Sequence, residues 1–186
     1  NCYNDADLTC DARNDALETN ATNKLGMQYY LGGIAGYVFK GASVEGCENR
    51  ENAVITFTGC NNTKSLSYVG GISGSYSDSF NMSGCQNKGK IVVDSKCSVC
   101  IGGIAGGFNG TMTGNVNSGQ INVSKVLSPA GKESEVGGLI GYANASLSGN
   151  TFSGTISSTS STVYIGGLAG GFNGDKQTWS GDTVSG

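Results

Sequence analysis

One short glycine-rich motif repeats five times, and this repeat constrains the fold more than any other feature of the sequence. Each copy begins with Gly-Gly, continues with Ile or Leu, and ends in a glycine two residues later. The copies recur at intervals of about 30 to 40 residues, with starts at Gly32, Gly70, Gly102, Gly137 and Gly166. A period of this size is typical of solenoids, in which each repeat buries its apolar face against its neighbours.

Two further signatures follow each glycine motif in fixed order. The first is a glycine followed by a short residue, which in successive repeats is Cys47, Cys85, Asn115, Asn150 and Asp182. The second is an alternating apolar run such as Ile55-Thr56-Phe57. The pattern predicts an all-β fold over residues 1–186, a single β-solenoid of about five stacked Gly-rich coils. We expect roughly three short strands per coil and partial coils at both ends.

Stacked coils would align equivalent side chains into ladders about 4.8 Å apart. Three inward ladders are predicted, namely Ile34/Ile72/Ile104/Leu139/Leu168, Leu8/Ile55/Ile91/Ile121/Ile156 and Cys10/Phe57/Val93/Val123. Val69 and Ile72 are both apolar although they are three residues apart, so positive φ at the intervening Gly-Gly would let both point inward. A strand covered on both faces is the alternative. The Asn residues after the corner glycines should bond each other and the turn backbone.

The repeats differ in length mainly between the apolar run and the next Gly-Gly. These insertions, residues 11–30, 60–68 and 125–135, should form loops at one corner, where a binding face could lie. Residues 11–25 could form a short helix.

The composition excludes several classes of function. The sequence has no His, which removes Ser-His, Cys-His and His-metal chemistry. The net charge is −3 and no block of basic residues occurs, so nucleic acid is a poor partner. No apolar run is long enough to insert into a membrane. We expect no cofactor, no metal and no enzymatic activity, because the carboxylates are scattered rather than clustered.

Seven cysteines in a Gly-rich and Asn-rich chain indicate an oxidising compartment. The spacing of Cys97 and Cys100 resembles a redox motif, but no βαβ pattern surrounds it. Cys47 and Cys85 are neighbours along one corner and could form a disulfide, although their parallel side chains suit it poorly. Cys60 is expected to pair with Cys97 or Cys100.

Two kinds of residue suggest contact with sugars. The N-glycosylation motif Asn-x-Ser/Thr occurs at Asn20, Asn61, Asn81, Asn109, Asn122 and Asn144. Asn109 and Asn144 occupy equivalent places in their repeats, where an Asn ladder at a turn is the alternative. Tyr30, Tyr68 and Tyr164 each precede a Gly-Gly pair; such a row could bind sugar rings, but mutual stacking is favoured.

The sequences Gly-Leu-Ile-Gly at 138–141 and Gly-Leu-Ala-Gly at 167–170 resemble the GLUG motif, as do the Gly-Ile-x-Gly segments at 33–36, 71–74 and 103–106. GLUG repeats occur in large surface and secreted proteins, including adhesins and some IgA-cleaving peptidases in which the repeats are not catalytic. The resemblance implies a surface β-solenoid and assigns no active residue.

Together these observations favour a structural segment of an extracellular filament, stalk or surface fibre. Its partners would be copies of itself or further repeats stacked end to end, and glycans would coat it. An adhesin module that binds glycan or protein through the corner loops is the alternative. A polysaccharide-degrading solenoid enzyme is a more distant one.

Overall fold

A computed structural model gives the fold of the chain and describes residues 1–12, 28–60, 65–76, 78–126, 133–160, 163–174 and 177–185. Within these ranges the protein is all-β and has no helix; its strands pair in parallel in four sheets. This β-solenoid-like arrangement agrees with the fold class predicted from the repeat.

The four sheets are named A to D, and their strands are numbered in chain order. Sheet A contains β1 (Tyr3–Asn4), β5 (Glu48–Asn49), β9 (Gln86–Asn87), β13 (Val116–Asn117), β17 (Thr151–Phe152) and β22 (Thr183–Val184). Sheet B contains β2 (Leu8–Asp11), β6 (Val54–Thr58), β10 (Lys90–Asp94), β14 (Gln120–Lys125) and β18 (Thr155–Ser158).

Sheets C and D are built in the same way. Sheet C contains β3 (Tyr30–Gly32), β7 (Leu66–Gly70), β11 (Ser98–Gly102), β15 (Ser134–Gly137) and β19 (Val163–Gly166). Sheet D contains β4 (Ser43–Glu45), β8 (Ser79–Ser83), β12 (Ala105–Thr113), β16 (Ile140–Ser148) and β20 (Ala169–Phe172), and β21 (Trp179–Ser180) also pairs with β16.

The chain passes through sheets C, D, A and B in turn and then returns to C. One such circuit is called a passage here, and each complete passage contributes four strands rather than the expected three. The additional strand is the two-residue strand of sheet A. It follows the corner glycine, whose φ lies between 59° and 66° in all five copies. This left-handed conformation turns the chain sharply and is readily adopted only by glycine, and the residues after it are extended enough to pair.

The strand registers confirm the two ladders predicted within sheet B. Ile55 is paired with Leu8 on one side and with Ile91 on the other, and Ile91 continues to Ile121. Phe57 is paired with Cys10 and Val93 in the same sheet. Side chains of sheet B therefore alternate between a buried ladder and an outward one, as a strand with one covered face requires.

Two separate apolar cores run along the molecule. One lies between sheets B and C and contains Val69, while the other lies between sheets D and A and contains Ile72. Both side chains are fully buried, as expected, but in different cores. The predicted mechanism is wrong, because neither Gly70 nor Gly71 has a positive φ.

Close backbone approach explains the Gly-Gly pair instead. A Cβ on Gly70 would lie 2.7 Å from the backbone nitrogen of Gly106 in the next passage. A Cβ on Gly71 would collide with the carbonyl oxygen of Gly103 and lie 2.7 Å from Oδ1 of Asn87. Neighbouring passages can therefore pack this closely only where both residues lack a side chain.

The residues that follow the corner glycines are Cys47, Cys85, Asn115, Asn150 and Asp182, and this row is named here the corner lane. The corner lane forms the hydrogen-bonded ladder that the sequence predicts. The side-chain amide of Asn115 donates to Oδ1 of Asn150 at 3.0 Å, and that of Asn150 donates to Oδ1 of Asp182 at 2.8 Å. The backbone N–H groups of Cys85 and Asn115 donate to the next residue in the lane at 2.8 and 2.9 Å. The lane thus satisfies turn backbone and side chains together.

A second Asn ladder, two residues further along each repeat, was not predicted. Asn4 donates to Asn49 at 2.9 Å, Asn49 to Asn87 at 2.8 Å, and Asn87 to Asn117 at 2.9 Å. Asn117 ends the series by donating to the carbonyl of Gly138 at 2.6 Å. Asn49, Asn87 and Asn117 are fully buried, so this polar lane lies inside the molecule and each amide is satisfied by its neighbours.

The predicted insertions all connect sheet B to sheet C. Their flanking strands are β2 and β3, β6 and β7, and β14 and β15, so the insertions leave and re-enter the fold at one corner, as expected. The helix considered for residues 11–25 lies almost wholly outside the described residues. Asp11, at its start, belongs to strand β2.

Candidate functional site

A cleft lies on the face of sheet C that is opposite the core between sheets B and C. It measures about 410 Å³. Its lining includes three tyrosines and two carboxylates, and the described lining residues are Gln28, Leu66, Tyr68, Tyr76, Cys100, Glu133, Glu135 and Tyr142. No Lys or Arg is among them. The cleft, named here the tyrosine cleft, therefore combines aromatic surface with two carboxylates among its described lining residues.

Strand register brings the central residues of the tyrosine cleft together. Tyr68, Cys100 and Glu135 occupy the same position of β7, β11 and β15, so their side chains project side by side from sheet C. Tyr142 is contributed by β16 of sheet D, where its partners in register are Gly107 and Gly171.

Glycines in sheet D make room for the larger side chains of sheet C. A Cβ on Gly107 would lie 2.8 Å from Cδ1 of Tyr68 and 2.9 Å from Cβ of Tyr76. A Cβ on Gly171 would collide with the carboxylate of Glu135. Each side chain thus lies over a backbone that presents no side chain of its own, which brings the two sheets close together.

The tyrosine rings form a continuous stack along one side of the cleft. Tyr68 is stacked between Tyr30, at 5.4 Å between ring centroids, and Tyr76, at 4.9 Å. Tyr142 is tilted by 58° against Tyr76 at 5.4 Å. Burial raises the pKa of the Tyr68 and Tyr76 hydroxyls, so these rings are neutral throughout the physiological range.

Glu135 is the charged group at the centre of the cleft. Its Oε2 lies 3.6 Å from Sγ of Cys100, which donates a weak hydrogen bond. Burial raises the pKa of Glu135 to about 7, an effect that Glu133 increases and the Cys100 thiol opposes. Burial and the neighbouring carboxylate likewise raise the pKa of Cys100. The thiol is therefore protonated and suited to donating rather than to nucleophilic attack.

The predicted tyrosine row is only partly formed. Tyr30 and Tyr68 are in register and stack, as the favoured interpretation expected. Tyr164 lies on the same lane, but Cys100 and Glu135 separate it from Tyr68, and it is exposed. Tyr68 is buried with a ring on each face, so this row offers no open platform at its centre.

Sequence reasoning missed Tyr76, Tyr142 and Glu135 as members of one site. A signal was present, since Tyr142 directly follows the last glycine of its motif and Tyr76 lies two residues after its own. The alignment of the repeats did not show that Tyr76 and Tyr142 lie beside Tyr68, because that arrangement depends on how sheets C and D pack.

The glycosylation motifs lie on outward-facing positions where the structure describes them. Asn81 is exposed, and Asn109, Asn122 and Asn144 are half-buried. Asn109 and Asn144 are direct partners in register, as expected, but they lie within strands β12 and β16 rather than at a turn. Oδ1 of Asn144 accepts a hydrogen bond from Gln177 at 2.6 Å. Asn20 and Asn61 lie outside the described residues. Glycosylation at all six sites stays a prediction.

All seven cysteines lie in the described ranges and are present as thiols. Cys60 and Cys97 belong to the core between sheets B and C, whereas Cys100 projects from the opposite face of sheet C toward Glu135. Cys47 and Cys85 are neighbours in the other core. Disulfide formation stays a prediction, and the geometry favours Cys97 over Cys100 as the partner of Cys60.

The described part of the chain contains no group of three or more His, Cys, Asp or Glu side chains that could hold a metal ion. No helix in these ranges is long and apolar enough to cross a membrane.

Comparisons with known proteins do not assign the chain to a class. No protein-family model matches the sequence. Searches of curated proteins and of solved structures likewise gave no match.

Proposed function

We propose that this chain is a structural segment of an extracellular filament, stalk or surface fibre. It would be a single β-solenoid region of about five coils over residues 1–186, related to GLUG-repeat surface proteins and coated by N-linked glycans. Its partners would be copies of itself or further repeats stacked on its ends.

One observation carries this proposal: the large hydrophobic side chains that are exposed in the described structure all lie on its first and last strands or beside them. They are Tyr3, Phe39, Tyr164, Ile165, Phe172, Trp179 and Val184. Ile165 is in register with the fully buried Val136, and Val184 is in register with Phe152, which is 6% exposed. Rows of equivalent side chains that are buried along the molecule are therefore exposed to solvent at its terminal strands. The unpaired edges of these strands also favour the addition of a further strand.

Electron microscopy of native material tests the proposal. Filaments with an axial rise of about 24 Å per chain, equal to five strand spacings, are expected if copies stack directly. Replacing Ile165 and Val184 with Lys should abolish assembly, whereas Lys at the exposed position Thr111 should not. Discrete particles at every concentration, unaffected by these substitutions, would contradict the proposal.

The second candidate is an adhesin module, and the shared corner of the insertions favours it. Three connections join sheet B to sheet C, so the described strand ends from which they leave and to which they return lie at one corner. Saturable binding to a glycan array or a host protein, lost when these insertions are shortened, would support this function over a structural one.

A further inference from the structure

Among the residues that the structure describes, no Lys or Arg forms an ion pair with Glu135 in the tyrosine cleft. Among the described residues, the ion pairs that the structure shows join Arg50 and Lys88 to Asp5 and Glu48, away from this cleft. Glu135 has the Cys100 thiol as its hydrogen-bond donor, and the second carboxylate, Glu133, adds further negative charge. A half-buried carboxylate in this setting is stabilised by a positively charged group.

The aromatic rings of the cleft also favour a positively charged ligand. Tyr76 and Tyr142 meet at 58° at the edge of the cleft, and both are half-buried rather than enclosed. The face of a tyrosine ring carries negative potential and attracts organic cations, most strongly where water is partly excluded. Rings and carboxylate thus favour the same ligand charge.

We propose that the tyrosine cleft binds an organic ammonium group, seated against Tyr76 and Tyr142 and paired with Glu135. The chemistry is that of an alkylated amine, which joins an apolar surface for the rings to a positive charge for the carboxylate. A neutral sugar fits less well, because the centre of the tyrosine stack has no uncovered ring face. The site is independent of end-to-end stacking, since it lies on the side of the molecule.

Binding should depend on pH through Glu135. The titratable groups that face its carboxylate are Glu133 from its own segment, Cys100 from β11, and the tyrosines of the cleft, Tyr68, Tyr76 and Tyr142. Burial keeps Tyr68, Tyr76 and the Cys100 thiol neutral at and below neutral pH, so ionisation of Glu135 controls the charge. Affinity should fall by roughly tenfold per pH unit below about 7, and the bound cation should lower the pKa of Glu135.

Nuclear magnetic resonance titration with isotope-labelled tyrosine tests this proposal. Tetramethylammonium should shift the ring signals of Tyr76 and Tyr142 saturably, with a Kd of about 1 mM or tighter, whereas the neutral tert-butanol, which has a similar shape, should not. Methylammonium distinguishes a primary amine from a quaternary one as the preferred form.

Two variants complete the test. Glu135→Gln keeps the shape and removes the charge, and should weaken binding at least about tenfold; Tyr142→Leu should weaken it if Glu135→Gln does not fold. Glu45→Gln, an exposed carboxylate outside the cleft, is the matched control and should bind like the parent protein. Equal shifts with the neutral compound, unchanged affinity in Glu135→Gln, or absence of saturation would each overturn the proposal.

Discussion

Asn150 donates both its backbone N–H and its side-chain amide to Oδ1 of Asp182, at 2.9 and 2.8 Å, while Oδ2 of Asp182 is buried without a hydrogen-bond partner. In the preceding repeats an amide nitrogen occupies the equivalent place. Asn115 donates from there to the carbonyl of Met82, and Asn150 to that of Met112. At this place Asp182 has a carboxylate oxygen, which accepts hydrogen bonds, whereas Asn115 and Asn150 have an amide nitrogen, which donates them.

Asp182→Asn should therefore stabilise the protein. The new amide would donate to the carbonyl of Leu147, which is equivalent to those of Met82 and Met112, and would remove an unsatisfied buried oxygen. The expected gain in the free energy of unfolding is about 1 kcal/mol, measured by urea denaturation. Asp94→Asn, on the outward face of sheet B, is the control. A gain no larger than that of the control would mean that Oδ2 is satisfied in solution.

The buried Asn ladder should be essential for stability. Asn87→Ala removes the acceptor of the buried Asn49 amide and one of the two donors to Oδ1 of Asn117, which keeps its bond from the Gly119 N–H. The expected loss is about 2–4 kcal/mol, measured by thermal and chemical denaturation. Asn52→Ala, at an exposed turn position, should change stability by less than about 0.5 kcal/mol. Similar effects of the two substitutions would show that the ladder contributes little.

Two glycines with different roles should respond differently to alanine. Gly71→Ala places a Cβ against the Gly103 carbonyl and the Asn87 side chain, and should destabilise by about 3 kcal/mol or more. Gly84→Ala meets no atom within 4 Å but must adopt a φ of 61°, which costs about 1 kcal/mol. The denaturation midpoints of the two variants measure the difference. The reverse order would mean that conformation, rather than close approach, selects the Gly-Gly pair.

The stability of the protein should depend on pH through Glu135. Its pKa is raised from 4.5 to about 7 in the folded state, so the folded protein binds a proton more tightly than the unfolded chain does. The contribution of this proton to stability is present below pH 4.5 and is lost as the pH rises to about 7.

Glu135→Gln should accordingly be more stable than the parent at pH 8, and this difference should disappear below about pH 4.5. Chemical denaturation at pH 4, 5.5 and 8 measures it, with Glu45→Gln as the control for general charge effects. A difference that is constant across this range would indicate that Glu135 has an ordinary pKa in the folded protein.

Oxidative folding should join Cys60 to Cys97 rather than to Cys100. Cys60 and Cys97 share one core, while Cys100 lies on the other face of sheet C. Peptide mapping by mass spectrometry under non-reducing conditions measures the linkage, and Cys97→Ser should leave Cys60 unpaired. A Cys60–Cys100 link would refute the assignment, and seven thiols in secreted material would count against an oxidising compartment.

The amino-acid sequence by itself determined the all-β class, the ladders of Ile55 and Phe57 and the corner lane ending at Asp182. These features depend on local periodicity and on equivalence between repeats, and both are visible in a linear sequence. The position of the insertions at one corner follows from the same equivalence.

Only the tertiary structure decided the fourth strand, the division into two cores and the reason for the Gly-Gly pair. It also brought Tyr76, Tyr142 and Glu135 into one cleft. These features depend on how one sheet lies against another, and the distance between two sheets is set by packing of residues from different passages. Gly71 illustrates this, because Gly103 and Asn87, which lie elsewhere in the chain, leave no room for a Cβ atom at this position.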